Sequence, residues 1–269
     1  MVAILEVHQV VAGVLDRCSL TVPAGSLSAV VGLVGSGRST LAKVVMGAQV
    51  PERGRVVLDG VDVTEVSPVA RARFGMGWVR QTPRPFASLS VEENVLVAAS
   101  ATRRWGGQEA ARRTADMLER YGLASLARLP AWRLDRRQAT RLEVVRALAA
   151  PRRLIVVDEL SSCLPADEVA ELAQPICATA QMGGAVVWLD APGSLPVIPD
   201  RVAVLGAGRV LVDGPPQDVE TSPEWASMLG RDAAAPIGAW SAGGGPAEPG
   251  DRDAATATGW PQDGTVGRS

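Results

Sequence analysis

The first quarter of the chain alternates short apolar runs with turn residues. The runs that have the period and composition of β-strands are residues 4–7, 19–22, 27–31 and 55–58. Pro23-Ala24-Gly25 makes a turn before the third run, and Asp59-Gly60 after the fourth is a favourable hairpin turn. The pattern predicts antiparallel strands around a unit of strand, Gly-rich loop and helix, with the helix at residues 38–47.

The pattern then becomes helical. Ser90 and Glu93 form a capping box that begins a helix through residue 99, and further helices are predicted at about 108–121, 136–150 and 166–182. The last helix lies between two almost wholly apolar runs, residues 154–157 and 185–189, which are typical of parallel strands covered on both faces. A hairpin of strands 202–205 and 210–212 follows. The predicted fold class is therefore α/β with a parallel-sheet core.

The composition of the chain changes over residues 231–269, where Gly, Ala, Pro, Asp and Thr dominate. Such a segment buries too little apolar surface to offset the entropy lost on ordering. We therefore predict one domain over residues 1–230 and a disordered low-complexity tail over 231–269. Trp240 and Trp260 in the tail are interpreted as isolated aromatics, with anchoring of a partner as the alternative.

Charge and hydropathy exclude some functions. The formal net charge is −2, so no overall positive field attracts nucleic acid, and we predict no nucleic-acid partner. No apolar stretch approaches the roughly 20 residues that span a bilayer. The three cysteines, Cys18, Cys163 and Cys177, match no metal-ligand spacing and favour a reducing cytoplasm.

Candidate chemistry begins in the Gly-rich loop between the third strand and its helix. Its spacing is that of a phosphate-binding loop, whose glycines let backbone amides point at phosphate oxygens beside a helix N-terminus. The candidate residues are Gly32, Gly35, Ser36, Gly37, Arg38, Ser39 and Thr40. Ser39 is also a candidate ligand of Mg²⁺. A structural Gly-rich turn is the alternative.

Two acids follow the apolar run 154–157. Open α/β sheets bind ligands at the carboxyl ends of their strands, so Asp158 is predicted to hold Mg²⁺ and Glu159 to act as general base on the attacking water. An apolar strand that ends in acids is common. Its position after a phosphate loop makes the pattern specific.

Two further segments carry a family resemblance. Residues 77–81 and 86–95 resemble the glutamine loop and first helical-subdomain helix of ABC (ATP-binding cassette) ATPases, most closely subunits of branched-chain amino-acid importers. Residues 134–149 align on the ABC signature region and its helix. The resemblance implies a P-loop NTPase fold with a RecA-like parallel-sheet core, an N-terminal antiparallel β-subdomain and an α-helical subdomain at about 85–150. It also implies that Gln81 contacts Mg²⁺ and senses the γ-phosphate.

Several positions depart from the family pattern. Arg38 replaces the loop lysine, Asp190 stands where the switch histidine belongs, and Pro165 replaces an aspartate. Asp135, Arg136 and Arg137 replace the serine and glycines of the signature, and residues 9–15 lack the aromatic that stacks on adenine. Hydrolysis is therefore expected to be weakened.

The resemblance implies an ATP-binding subunit of an ABC transporter that couples ATP binding and hydrolysis to transport of a small solute, and residues 86–95 favour branched-chain amino acids. Its implied ligands are ATP and Mg²⁺, with Ser39, Gln81 and Asp158 around the metal. Its implied partners are transmembrane permease subunits and a second ABC subunit, on the cytoplasmic face of the membrane. A non-hydrolysing structural or regulatory subunit is the alternative, and DNA-repair or translation ABC proteins, kinases and GTPases fit less well.

Overall fold

A computed structural model describes residues 2–101 and 105–230. Its strands are β1 Ala3–Ala12, β2 Leu15–Pro23, β3 Leu27–Val31, β4 Arg53–Leu58, β5 Val61–Asp62, β6 Met76–Val79, β7 Leu154–Asp158, β8 Ala185–Asp190, β9 Arg201–Gly206 and β10 Arg209–Gly214. Its α-helices are α1 Arg38–Val45, α2 Pro68–Arg73, α3 Val91–Ser100, α4 Gly107–Arg120, α5 Arg136–Leu148, α6 Ala166–Gln181, α7 Pro216–Glu220 and α8 Pro223–Leu229. The tail prediction, with Trp240 and Trp260, falls outside the described residues.

The larger sheet has six strands in the order β10-β9-β3-β8-β7-β6. Strands β9, β3, β8, β7 and β6 are parallel, and β10 adds an antiparallel edge. Strands β3, β7 and β8 are buried along their whole length, which explains their continuous apolar sequences. The predicted parallel-sheet core is confirmed.

The smaller sheet is antiparallel, in the order β2-β1-β4-β5. Its apolar face and one face of the larger sheet share a core with α1, whose Leu41 and Val44 are fully enclosed. The opposite face of the larger sheet packs on α3, α5 and α6 through a second core centred on Trp188. The molecule is thus layered, and α1 lies between the two sheets.

The predicted elements are all found, with shifted ends. The first helix ends at Val45 rather than at residue 47, because Met46 caps it and Gly47 adopts a left-handed conformation at φ +73°. The capping box of Ser90 and Glu93 is present at the start of α3.

Helix α2 was not predicted, since six residues give no helical period. Its Arg71 is fully buried, and the guanidinium donates hydrogen bonds to five carbonyls, those of Val44, Val45, Val63, Thr64 and Val66. This side chain ties α2 to the end of α1, a long-range contact that no local pattern encodes. In the described part of the chain, no helix has the length and apolarity that crossing a membrane requires.

Candidate functional site

The candidate site lies at the carboxyl edge of the six-stranded sheet. The Gly-rich loop connects β3 to α1, and Asp158 is the last residue of β7. Strand β8 lies between β3 and β7 and ends in Asp190. The parallel strands therefore bring the loop, Asp158, Glu159 and Asp190 to one edge.

Three glycines shape the loop for two different reasons. Gly35 and Gly37 have φ values of +85° and +111°, which side-chain-bearing residues rarely adopt. Gly32 does not share this conformation. A Cβ there would lie 2.5 Å from the carbonyl oxygen of Leu205, so glycine is required at position 32 by close approach and not by its dihedral angle. The sequence prediction gave all three glycines the same conformational reason, and for Gly32 that reason is corrected.

The loop presents donors without acceptors. Helix α1 begins at Arg38, so the amides of its first turn have no carbonyl partner within the helix. The Ser36 hydroxyl and the Arg38 Nη1 atom are buried and, among the described residues, find no hydrogen-bond partner. Buried donors of this kind are costly unless a ligand satisfies them. The loop is therefore suited to an anion rich in oxygen.

Arg38 reaches across the edge to the predicted base. Its Nη2 lies 2.7 Å from Glu159 Oε1, and only 5% of its side chain is exposed. Gln81, which follows β6, donates from Nε2 to the other Glu159 oxygen at 2.5 Å. Both carboxylate oxygens of Glu159 thus have donors, and the three predicted residues meet at one point.

Ser39 and Asp158 form the neighbouring pair. The Ser39 hydroxyl donates to Asp158 Oδ1 at 3.2 Å. Burial raises the pKa of Asp158 to about 6, the Glu159 charge adds to the rise, and Ser39 and Arg38 oppose it. Within residues 2–101 and 105–230, no group of three or more His, Cys, Asp or Glu side chains is arranged so that it could hold a metal ion. A metal here would therefore draw on hydroxyl and amide oxygens besides Asp158.

Glu159 has an unusual backbone, with φ 52° in the left-handed region. Its amide donates to the carbonyl of Leu189 on β8, which fixes the turn after β7. Non-glycine residues held in this region are found at functional sites more often than elsewhere. The strained turn aims the Glu159 side chain toward Arg38 and Gln81.

Asp190 is enclosed by hydrogen-bond donors from its own strand, from the residues that follow it and from the segment after Glu159. It is 2% exposed, and Oδ1 accepts hydrogen bonds from the hydroxyls of Ser161 at 2.6 Å and Ser194 at 3.0 Å and from the Ala191 amide. The indole of Trp188 donates to Oδ2. Asp190 therefore links β8 to the segment after Glu159.

The residues at the predicted signature positions, Asp135, Arg136 and Arg137, have structural partners. Asp135 accepts the Gln138 amide at 2.8 Å and caps α5, completing a capping box. Arg137 forms an ion pair with Glu168 of α6. Arg136 approaches the Cys163 sulfur at 3.9 Å. These residues bind their own chain. Thr40 lies in the first turn of α1.

Sequence reasoning does not identify Cys163 as a site residue, because the cysteines match no metal-ligand spacing. Its thiol donates to the carbonyl oxygen of Gln81 at 2.9 Å and is buried. It thereby connects the glutamine segment to the turn that carries Glu159. No local pattern indicates this contact, since the two residues are far apart in sequence.

Comparison with known proteins supports the resemblance to ABC ATPases. Residues 15–162, more than half of the chain, match the ABC transporter family. The methionine import ATP-binding protein MetN 2 of Rhodococcus jostii is 33% identical over 217 residues, covering 78% of this chain and 63% of that protein. The glutamate transport ATP-binding protein GluA of Corynebacterium efficiens is 29% identical over 212 residues, covering 78% of this chain and 88% of that one.

A solved ATP-binding cassette of an ABC transporter, in its ADP conformation, superimposes with a TM-score of 0.70 at 23% identity, covering 85% of this chain and 98% of the other. This likeness shows a common fold. The chain spans 63% and 58% of the lengths of two methionine import relatives. The layered fold, the phosphate loop facing two carboxylates and the match over residues 15–162 together place this chain in the ABC transporter family, among its ATP-binding domains.

Proposed function

We propose that this protein is the ATP-binding subunit of an ABC importer for a small solute, and that its ATP hydrolysis is weakened. The observation that carries the proposal is a donor-rich loop whose Arg38 is ion-paired with Glu159. The unpartnered Ser36 hydroxyl and Arg38 Nη1 fit a polyphosphate. We also propose that residues 1–230 form the ATP-binding domain, with its helical subdomain at about 85–150.

The roles we propose follow from chemistry. The first-turn amides of α1, Ser36 and Arg38 bind phosphate oxygens. Thr40 lies in that first turn, and Gly35 and Gly37 shape the loop before it. Ser39, Gln81 and Asp158 supply the hydroxyl, amide and carboxylate oxygens that Mg²⁺ prefers, and Ser39 and Asp158 are already adjacent. Bound Mg²⁺ would neutralise phosphate charge. Glu159 accepts the proton of the attacking water.

Weakened hydrolysis follows from how Glu159 is held. A general base must offer an oxygen to water, but both of its oxygens are engaged, one by a buried guanidinium at 2.7 Å. Phosphate must draw Arg38 away before that oxygen is free. Asp190, enclosed by Ser161 and Ser194, brings a carboxylate to a position where the family has a histidine. Loss of one oriented contact to a transition state costs about 10² to 10³ in rate.

The alternative is a non-hydrolysing structural or regulatory subunit of a heteromeric complex. The occupied carboxylate of Glu159 and the capping role of Asp135 favour it. The retained Asp158 and Glu159 favour weak hydrolysis. Under both readings the partners are permease subunits and a second ABC subunit, with no nucleic acid, and the protein sits on the cytoplasmic face of the membrane through those permeases.

The cargo we propose is a small solute. Likeness of residues 86–95 to branched-chain amino-acid importers supports that class, whereas the relatives named above import methionine or carry glutamate. Permeases determine what is carried, so the segment supports the choice by analogy alone.

The decisive measurement is ATP turnover by the full chain reconstituted with its permeases and second subunit, beside a Glu159→Gln version. We expect slow turnover that the substitution abolishes, while Mg²⁺-ATP still binds. Equal turnover in the two complexes would support the non-hydrolysing alternative. Failure of the full complex to bind ATP would contradict both.

A further inference from the structure

A groove of about 1120 Å³ lies at the edge of the six-stranded sheet opposite the phosphate loop. Its floor is formed where β6, β7 and β8 begin, at Gly75, Arg153 and Gly184. Because these strands are parallel to one another and to β3, their amino ends face away from the loop. The groove is therefore separate from the nucleotide site.

Arginines and apolar side chains line the groove, and none of the lining residues that the structure describes is a carboxylate. The arginines are Arg73, Arg113, Arg120, Arg152 and Arg153. Phe74 is half exposed, and Trp105 and Met117 line the same groove. The Arg113 guanidinium stacks on the Trp105 ring at 4.3 Å from its centroid, so flat cationic and aromatic groups already pair in this groove.

The groove keeps a net positive charge despite the neighbouring negative groups. Arg113 pairs with Glu109 and Arg153 with Asp59, which leaves Arg73, Arg120 and Arg152 without an ion pair among the described residues. The helices α2, α4, α5 and α6 also end beside the groove, and each carbonyl end contributes roughly half a negative charge. Three guanidinium charges exceed these four half charges, so a net positive field remains.

Arg152 is the most unusual of the five. It donates from Nε to the Ala147 carbonyl at 2.6 Å and from Nη2 to the Arg146 carbonyl at 3.0 Å, while the buried Nη1 has no partner. Burial, followed by the charge of Arg146, lowers its pKa to about 10. A cation buried without a counter-ion is unfavourable, and an anion in the groove would relieve it.

We propose that this groove binds an organic anion with a flat aromatic body. Its acidic group lies among Arg73, Arg120 and Arg152, and its ring lies against Phe74 and Trp105. Guanidinium forks suit carboxylates, sulfonates and phosphates, and a site of this volume accommodates a small molecule. The proposal does not depend on nucleotide binding, because the two sites lie at opposite edges of the sheet.

The test uses the full chain and an aromatic sulfonate probe, 1-anilinonaphthalene-8-sulfonate, titrated by fluorescence and calorimetry. We expect one saturable site, unaffected by saturating Mg²⁺-ATP. Arg120→Gln and Arg73→Gln are each expected to weaken binding about fivefold, and the double variant by more. Arg112→Gln is the matched control, since it removes an exposed arginine from the same helix α4 outside the groove, and it should leave affinity unchanged.

The arginine variants alter exposed side chains and should fold, which circular dichroism and thermal unfolding check. Phe74→Ala adds a second test, because it removes the ring contact while keeping every charge. Equal affinity in the Arg73/Arg120 double variant and the unaltered protein would overturn the proposal. So would competition by ATP, or probe binding without saturation.

Discussion

At the scale of single residues, Arg38 connects the Gly-rich loop to the predicted base, Glu159. Its guanidinium is broad and planar, so one nitrogen pairs with Glu159 while the other remains buried without a partner. A lysine ammonium is a compact point charge and cannot serve two such positions. We therefore expect Arg38 to couple phosphate binding to the predicted base.

We expect Arg38→Lys to raise ATP turnover of the reconstituted complex by about tenfold, because Glu159 then loses its guanidinium partner and has an oxygen free for water. Steady-state turnover and ATP affinity measure the change. The control is Arg38→Lys combined with Glu159→Gln, which should show none of the gain. Unchanged or lower turnover in the single variant would mean that the loop has adapted to arginine.

Asp158 gives a pH-dependent stability of definite sign. Its folded pKa is about 6 and its ordinary value 3.8, so the folded protein holds a proton that the unfolded chain releases between these values. The contribution to the free energy of unfolding is present below pH 4 and is lost as pH rises to 6 and above, by about 3 kcal/mol.

The measurement compares urea unfolding of the unaltered protein with Asp158→Asn from pH 4 to 7, without nucleotide. Other carboxylates titrate in this range in both proteins, so only the difference is interpreted. We expect the unaltered protein to lose stability relative to the variant as pH rises. A constant difference would show that Asp158 titrates normally.

At the scale of elements, Asp135 stabilises the start of α5. The side chain caps the helix by accepting the Gln138 amide. Asp135→Ala should lower the free energy of unfolding by about 1 kcal/mol, whereas Asp135→Ser keeps a capping oxygen and should cost little. Chemical denaturation of the two variants checks this, and equal losses would exclude the cap as the source of stability.

The elements also show what the sequence could predict. The strands β3, β7 and β8 are continuous apolar runs, and their order around the phosphate loop predicted a parallel sheet with Asp158 at its edge. The contacts at that edge could not be predicted. The bonds from Arg38 and Gln81 to Glu159 join residues at least 78 positions apart, and the burial of Arg71 depends on carbonyls of several segments.

Short elements were missed for a related reason. Helices α2, α7 and α8 have five to seven residues, too few for a helical period to emerge. Each has a proline in its first turn, and Ser67 and Ser222 cap two of them. These start signals were available in the sequence. What holds the helices in place is tertiary packing, which the sequence pattern does not contain.

At the scale of the whole molecule, the two cores are built from residues between Ile4 and Trp225. The composition of residues 231–269 predicts that they add little to folding. We therefore expect a chain that ends at Gly230 to melt within about 2 °C of the full chain and to bind ATP equally well, since a loss of 1 kcal/mol corresponds to roughly 2–4 °C at this size.

The matched control is a chain that ends at Thr221 and so lacks α8. It removes Trp225, which is 3% exposed and packs in the core with Trp188. Loss of a buried tryptophan costs about 3–5 kcal/mol, so this chain should melt about 10 °C lower. Differential scanning calorimetry of the three chains gives the answer. A large drop on removal of residues 231–269 alone would mean that the tail packs on the domain, and the interpretation of Trp240 and Trp260 as isolated aromatics would then be wrong.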